Sequence, residues 1–398
     1  MRKQKDKRNY IQKRLYSYHF LNDGITFILP ILMAGFFITF HLNWFQTGLI
    51  FAFNALALTL SQIVVGYFTD KYSEILLKIG ILLLALASFL IIFSYDFISL
   101  LIFATLIGIA LGFQHSISYA TTSKMYIEQR DIMLGRMGAA GDMGKCIAVF
   151  LSVIAIIIFT WQLALIIWSL IIFTLFIIII FNFRKIKFEE FYLDTNNFNL
   201  NMDNYEENRP EKFLILLIIA TYMIYAAIYT MVITNLATFL RVEKTGLVSE
   251  FSGLILGFTI LLGVIGAYFS GVFKSKLGMS KSIFLVSILL ICLFSLYIYI
   301  NTSDLIITLI FFGIVGFLLY IIYPQLLSAV NNFVHPKRIG FGFGLVLSLG
   351  WFGNFLGALI GGYFANLYSP NMFFILGSVN LMILIALAII MKLKYNIK

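Results

Sequence analysis

The chain has 398 residues, 61% of them hydrophobic and only 12% charged, with a mean hydropathy of +0.98. That balance excludes a water-soluble domain, which needs far more polar surface. The formal charge of +10 would suit a nucleic-acid partner, but its distribution excludes one. Of the 28 Lys and Arg, all but Lys145, Arg241 and Lys244 sit in the N-terminal tail, in every second loop and in the C-terminal tail, the pattern of a multi-pass membrane protein with positive loops in the cytoplasm.

A bilayer core of roughly 30 Å is crossed by about 20 apolar residues in a helix. In chain order, twelve such runs are expected, at about 16–40, 46–69, 75–94, 97–121, 133–160, 161–183, 213–240, 247–273, 281–300, 304–330, 339–366 and 370–391. Strand-like alternation is absent, so the runs read as helices and not as a barrel. Before the first run lies a cytoplasmic tail, 1–15, with Arg2, Lys3, Lys5, Lys7, Arg8, Lys13 and Arg14. It resembles no cleaved leader, because the apolar run that follows is too long and has no small-residue cleavage site. The runs divide into a six-helix bundle at 16–183 and another at 213–391. Residues 184–212, rich in Asn and Glu, read as a cytoplasmic linker, and 392–398 as a cytoplasmic tail. Cys146 and Cys292 both fall inside apolar runs, so no disulfide framework is implied.

The two bundles echo each other at an offset of 205 positions. Gly48-Leu49-Ile50 returns as Gly253-Leu254-Ile255, Gly108-Ile109 as Gly313-Ile314, and Gly135 as Gly340. Gly66, Phe68 and Lys71 return as Gly271, Phe273 and Lys276, and Ser275 stands where Asp70 stood. A direct repeat of two membrane-embedded halves is a transporter architecture, with the substrate path between the halves.

Several polar residues interrupt the apolar runs. His19, Asn22 and Asp23 share one face of run 1 at i, i+3, i+4, and Asp23 lies about two turns inside it. An ionisable group there is costly, so a function is the default expectation. A carboxyl balanced between burial and a nearby cation can load and release a proton. Run 4 carries Gln114 and His115, the latter able to relay protons near neutral pH. Run 5 carries Asp142 and Lys145 at i, i+3, which read first as a self-neutralising pair. The functional alternative is an anion site at Lys145, with Asp142 as a switchable partner. The second bundle offers aromatics instead: Tyr222, Tyr225 and Tyr229 on run 7, and Tyr320 and Tyr323 before Pro324 on run 10. These tyrosines could line a cavity for a partly apolar organic solute, although 21 Tyr and 42 Phe also make them ordinary packing. Glycines at 135, 138, 141 and 144 on run 5, and at 353, 357 and 361 on run 11, have the spacing of close helix contacts.

The loop Gly66-x-x-x-Asp70-Lys71 and its copy Gly271-x-x-x-Ser275-Lys276 resemble the signature loop of the major facilitator superfamily. The resemblance implies a twelve-helix fold with helices 1, 4, 7 and 10 around a central cavity, so that His115 approaches Asp23. It implies that Asp70 docks near Ile339 to Phe341, the start of helix 11, as a gating latch. It also implies that helices 5 and 11 meet across the halves. The loop departs from the family at Ser73, where Gly is usual, and at Ser275. His19-Phe20-Leu21-Asn22-Asp23 and Gly112-Phe113-Gln114-His115 are further similar to the fosmidomycin-resistance group of drug:proton antiporters. Departures are Ser116 for that group's Pro, and Lys145-Cys146 for its Gly-Pro.

The resulting expectation is an all-α transporter of the cytoplasmic membrane, monomeric, exporting a small organic solute against protons, with no cofactor and no metal. Uptake of a small organic anion on Lys145 and His115 is the alternative. An enzyme would need a nucleophile or a ligand cluster, and the histidines at 19, 41, 115 and 335 are scattered. A sensor would need a soluble signalling domain, and none is apparent.

Overall fold

The computed structural model describes residues 2–126, 129–182, 188, 212–331 and 339–395. It is helical throughout the membrane-spanning runs, with eleven helices among the described residues long and apolar enough to cross a bilayer. Here they are α1 (Arg2–Thr39), α4 (Phe97–Met125), α5 (Arg130–Ile158), α6 (Trp161–Asn182), α8 (Ser252–Leu277), α9 (Met279–Ile300), α10 (Leu305–Asn331), α11 (Ile339–Leu367) and α12 (Met372–Tyr395). Two remain. Helix α7 begins at Lys212–Tyr229, passes through a π-helical turn, Thr230–Thr234, and ends as Leu236–Glu243. The helix Trp44–Leu90 holds two expected runs, labelled α2 (44–71) and α3 (73–90).

Twelve expected runs therefore appear in eleven helices, because no loop separates α2 from α3. The break is the non-helical Tyr72 (φ −129°, ψ 27°). Ser61 and Leu58 of α2 pack at Gly112 of α4, while Gly80 of α3 packs at the adjacent Phe113. Residues 61 and 80 would stand nearly 30 Å apart in a straight helix. Their meeting at neighbouring residues shows that the chain folds back at Tyr72.

Helix α1 is helical from Arg2, and Ile11 and Leu15 are buried, so helix extends through the segment expected as a tail. Of the expected linker, only Phe188 and Lys212 fall among the described residues. The Phe188 amide donates to the Glu74 carboxylate.

The buried apolar side chains form two clusters. One is drawn mainly from α1–α6 and the other mainly from α7–α12. The first and last described helices reach, near Asn9 and Tyr395, the same end of the bundle as the Tyr72 turn. Asn9 meets Tyr126, Tyr395 meets Phe213, and Tyr67 meets Phe341. This is called the terminal end here, and the opposite one the distal end.

Glycines set the close contacts, and the repeated ones occupy equivalent places. A Cβ at Gly108 of α4 would meet the Asn54 backbone of α2, and one at Gly313 of α10 would meet Leu262 and Phe258 of α8. Gly48 of α2 faces Ala358 and Gly362 of α11, and Gly253 of α8 faces Val153 of α5. The seams between the two clusters are thus α2 against α11 and α5 against α8. This corrects the expectation that α5 meets α11. Gly141 and Gly144 of α5 pack instead on His19, Asp23 and Phe20 of α1, and Gly353 and Gly357 of α11 on Met223 and Ala227 of α7. Gly361 lies against Met231 of α7 and Phe373 of α12. The reason is steric. A glycine stripe serves the neighbour whose backbone comes nearest, and that neighbour lies within the same cluster.

The seams differ toward the terminal end. The α2/α11 seam stays closed, with Gly344 against Gly66 and Tyr67 against Phe341 at 6.3 Å between ring centroids. The α5/α8 seam is closed only distally, where Gly257 meets Val149 and Phe150. Nearer the terminal end Gly135, Gly138 and Gly271 face open space.

Candidate functional site: an ionisable wall facing a tyrosine wall

Between the clusters lies a cavity of about 640 Å³, the size of drug-sized ligand sites. It opens toward the terminal end between α5 and α8. Tyr268 lines it yet is 82% exposed, which places that side chain at the mouth.

The first wall belongs to α1, α4 and α5. Asp23 is buried and gathers three neighbours. His19 Nε2 is 3.4 Å from Oδ1, His115 Nε2 is 4.0 Å from Oδ1, and Lys145 Nζ is 3.2 Å from Oδ2. Lys145 also donates to Asp142 Oδ1 at 2.9 Å, so the ammonium bridges two carboxylates. Asn22 Nδ2 donates to Asp23 Oδ1 at 3.5 Å. Glycine makes the assembly possible. A Cβ at Gly141 would stand 2.6 Å from Asp23 Oδ2 and 2.7 Å from His19 Nε2.

His115 is oriented from behind. Gln114 Oε1 contacts its Nδ1, and Gln114 Nε2 donates to Ser118 Oγ at 3.0 Å. An Nδ1–H donating to Gln114 leaves Nε2 with its lone pair turned toward Asp23. The imidazoles of His19 and His115 meet edge to face at 5.1 Å, and each contacts Tyr119. His115 stacks on Trp351 of α11 at 6.5 Å.

The second wall belongs to α7 and α10. The Tyr229 and Tyr320 hydroxyls are hydrogen-bonded at 2.7 Å. Tyr323 stacks on Tyr225 and lies tilted against Tyr222, each at 6.2 Å. The α7 stripe ends at the π-helical turn, an insertion that shifts the register of the backbone carbonyls. Asn235 Nδ2 donates to the Thr230 and Met231 carbonyls at 2.9 and 3.5 Å, which satisfies them. Thr230 Oγ1 in turn donates to Asn354 Oδ1 at 2.8 Å.

The structure therefore brings together His19, Asn22, Asp23, Gln114, His115, Asp142 and Lys145. Opposite them it places Tyr225, Tyr229, Tyr320 and Tyr323. Sequence reading missed the Asp23–Lys145 contact, because residues on separate helices carry no spacing signal. It also missed Tyr119, Trp351, Asn354 and Thr230. For Tyr119 a signal exists, since it lies one turn after His115 on the same face. His19, Asp23 and His115 each present one ligand atom within 4.8 Å of the others. They would hold a dication poorly, because the Lys145 ammonium already sits on the same carboxylate and like charges repel.

The loop residues lie at the terminal end, away from the cavity. Asp70 Oδ1 accepts from Lys124 Nζ of α4 at 2.7 Å. The docking of Asp70 expected at Ile339 to Phe341 falls largely outside the described residues, which leave out the side chains at 339 and 340; the neighbouring Tyr67 lies against the Phe341 ring. Lys71 Nζ lies over the Tyr72 ring. In the second copy Ser275 Oγ donates to its own helix at the Val272 carbonyl, 3.0 Å away. Its neighbour Lys276 is exposed.

A bundle of apolar helices around a cavity lined by ionisable groups and tyrosines is the architecture of a membrane transporter. The model of the Major Facilitator Superfamily matches residues 15–356, and the chain belongs to that family. No curated protein matches it. Among solved structures it is similar to the nucleoside transporter NupG, with a TM-score of 0.71 at 14% identity, over 96% of this chain and 98% of that one. It is equally similar to a bacterial homologue of the human lysosomal transporter Spinster, in an inward-facing, unoccupied conformation. There the TM-score is 0.71 at 14% identity, over 96% of both chains. At that identity the likeness shows the fold alone.

Proposed function

We propose that this chain is a secondary active transporter that exports a small organic solute across the cytoplasmic membrane by proton-coupled alternating access. In this reading α1–α6 and α7–α12 are two six-helix halves, working as a monomer. The lysine- and arginine-rich terminal end is cytoplasmic, so the cavity opens inward. The motif likeness to the drug:proton antiporter group supports export.

The observation that carries the proposal is the environment of Asp23. A buried carboxylate faces the cavity with two imidazoles and one ammonium on it. A proton arriving at Asp23 competes with Lys145 for the carboxylate. Asp142, already 2.9 Å from Lys145, keeps the ammonium paired when Asp23 gives it up. Without Asp142 that step would leave a buried charge alone, which is costly. His19 and His115 line the cavity beside Asp23, and their ring nitrogens can pass a proton between the carboxylate and the cavity. The α5/α8 seam, closed distally and open at the terminal end, gives the halves a place to rock.

Uptake of an organic anion on Lys145 and His115 is the weaker reading, because the two carboxylates already on Lys145 repel an incoming anion.

The test is transport in proteoliposomes with an internal pH dye and an imposed pH gradient. Candidate solutes are added outside, and wild type is compared with Asp23→Asn. A solute-triggered proton flux in wild type that is lost in Asp23→Asn is the expected result. Solute movement indifferent to both the gradient and the substitution would refute proton coupling through Asp23.

A further inference from the structure

A second hollow, apart from the central cavity, lies on the outer side of the first cluster. It is a groove of about 530 Å³ between α1 (Tyr16, Phe20), α5 (Ala140, Met143) and α6 (Ile171, Ile178). Met143 and Ile171 are exposed, so the groove opens sideways to the membrane. It starts near the terminal end at Tyr16 and Ile178 and runs inward to Met143 and Ile171. The stretch of α6 from Ile178 back to Ile171 spans about 10 Å. Of the three hydroxyls on its walls, those of Ser17 and Thr174 donate to carbonyls of their own helices, Lys13 and Leu170, at 3.0 and 2.8 Å. The rest of the lining is apolar.

The terminal rim of the groove carries charge. Arg136 stands one turn before Ala140 on α5, and Lys13 one turn before Ser17 on α1, and both are exposed. The Arg136 guanidinium and the Tyr16 hydroxyl converge on the Met133 sulfur, each at 3.8 Å. A thioether is a weak acceptor, so both donors turn readily to a stronger one. Neither cation pairs with a carboxylate among the described residues. An apolar trough below two cations and a phenol has the chemistry of a lipid site, an acyl chain within and an anionic headgroup above. A zwitterionic headgroup would bring its own cation to Lys13 and Arg136, and like charges repel. A helix of a second copy fits less well. Membrane helices dock on small residues and through interhelical hydrogen bonds, whereas Phe20, Met143, Ile171 and Ile178 are large and the Ser17 and Thr174 hydroxyls are already spent.

We infer that this groove is a binding site for one anionic phospholipid, with an acyl chain along Phe20, Met143 and Ile171 and the phosphate against Lys13, Arg136 and the Tyr16 hydroxyl. Any tail of the surrounding bilayer suits an apolar hollow, so selectivity resides in the headgroup. The site adjoins the contact that carries Asp23. Gly144 of α5 packs on the Phe20 carbonyl and Gly141 on His19 and Asp23, next in sequence to Met143 and Ala140 of the groove. A lipid seated there braces α1 against α5. The inference stands apart from the transport reading and holds whichever solute the cavity takes.

The experiment is native mass spectrometry of the delipidated full-length protein, titrated in detergent with dioleoyl phosphatidylglycerol or dioleoyl phosphatidylcholine. One phosphatidylglycerol should be retained about thirtyfold more tightly than phosphatidylcholine, the effect of two cations at a membrane surface. Lys13→Gln combined with Arg136→Gln should bring the anionic lipid down to the level of the zwitterionic one. Lys276→Gln combined with Lys281→Gln removes two exposed cations elsewhere at the terminal end and should change neither. Thr174→Trp, a large side chain on the exposed rim, should weaken both lipids. Size-exclusion profiles and melting temperatures verify that each variant is folded. Equal retention of the two lipids by wild type overturns the inference, as does an equal loss from the Lys276 and Lys281 pair. So does Thr174→Trp binding as wild type does. A dimer that comes apart as lipid is added would also overturn it, by giving the groove to a second copy.

Discussion

Replacing Gly144 by Ala adds one methyl group and tests the reasoning about the α1/α5 contact. The added Cβ would stand 2.0 Å from the Phe20 carbonyl oxygen and 2.8 Å from its carbon. Carbon–oxygen contacts below about 3 Å are repulsive, so the helices must part by about 1 Å. The obstacle is backbone, and no rotamer change relieves it. Overpacking of this kind costs about 1–3 kcal/mol, and that outweighs the gain of roughly 0.5–1 kcal/mol expected for Gly to Ala inside a helix. The control is Gly138→Ala, two turns away on the same helix, where an added Cβ meets nothing within 4 Å. That variant has only the helix gain and should be neutral or slightly more stable. The assay is thermal unfolding of both variants in detergent, followed by size-exclusion chromatography. Gly144→Ala should melt several degrees below wild type, at about 2–4 °C for each kcal/mol, and Gly138→Ala at or above it. Equal melting of the two variants would refute the assignment of Gly144 to a backbone contact and Gly138 to open cavity.

Two further outcomes are expected. Asp96 caps α4, accepting from the Ser99 hydroxyl at 2.6 Å and the Ser99 amide at 2.8 Å, and these donors hold its carboxyl below the usual range. Because the folded pKa is depressed, the capping contribution is present above the ordinary carboxylate pKa and lost as pH falls through the lowered value. The gap in melting temperature between wild type and Asp96→Asn should therefore close on acidification, and a constant gap from neutral pH to below 3 would contradict this. The Asp70–Lys124 pair is part-exposed, so the coupling between the two side chains should be below about 1 kcal/mol. The exchange Asp70→Lys with Lys124→Asp should recover the loss from either single reversal in a double-mutant cycle. Strictly additive effects would show that the pair is not coupled.

Much of the fold was legible because the membrane is a severe solvent. Backbone polar groups must be satisfied within each segment, so a run of apolar residues becomes a helix almost regardless of its neighbours. The repeat at 205 positions was readable for a related reason. Gly108 and Gly313 are glycines because another helix lies against each at the same place in its own bundle. The absence of a loop between α2 and α3 was not legible, since a fold-back at one residue, Tyr72, interrupts helical backbone at a single position. The glycine stripes announced close packing but not the partner. A missing side chain says that something comes near, and Gly144 and Gly353 each meet the nearest helix of their own cluster.

By itself the sequence determined the membrane habitat, the number of apolar runs, the repeat, and the set of groups too costly to bury without purpose: Asp23, His115, Asp142 and Lys145. All of these follow from local chemistry, the transfer cost of a side chain or the length of an apolar run. Only the tertiary structure decided that Lys145 bridges Asp23 and Asp142, that the tyrosines of α7 and α10 form one wall opposite them, and that the α5/α8 seam is the one that stands open. Apart from Lys145 and Asp142, those facts join residues on different helices, Tyr229 and Tyr320 being 91 positions apart. Such contacts are fixed by how helix surfaces fit together, a property of pairs of helices that no single stretch of sequence records.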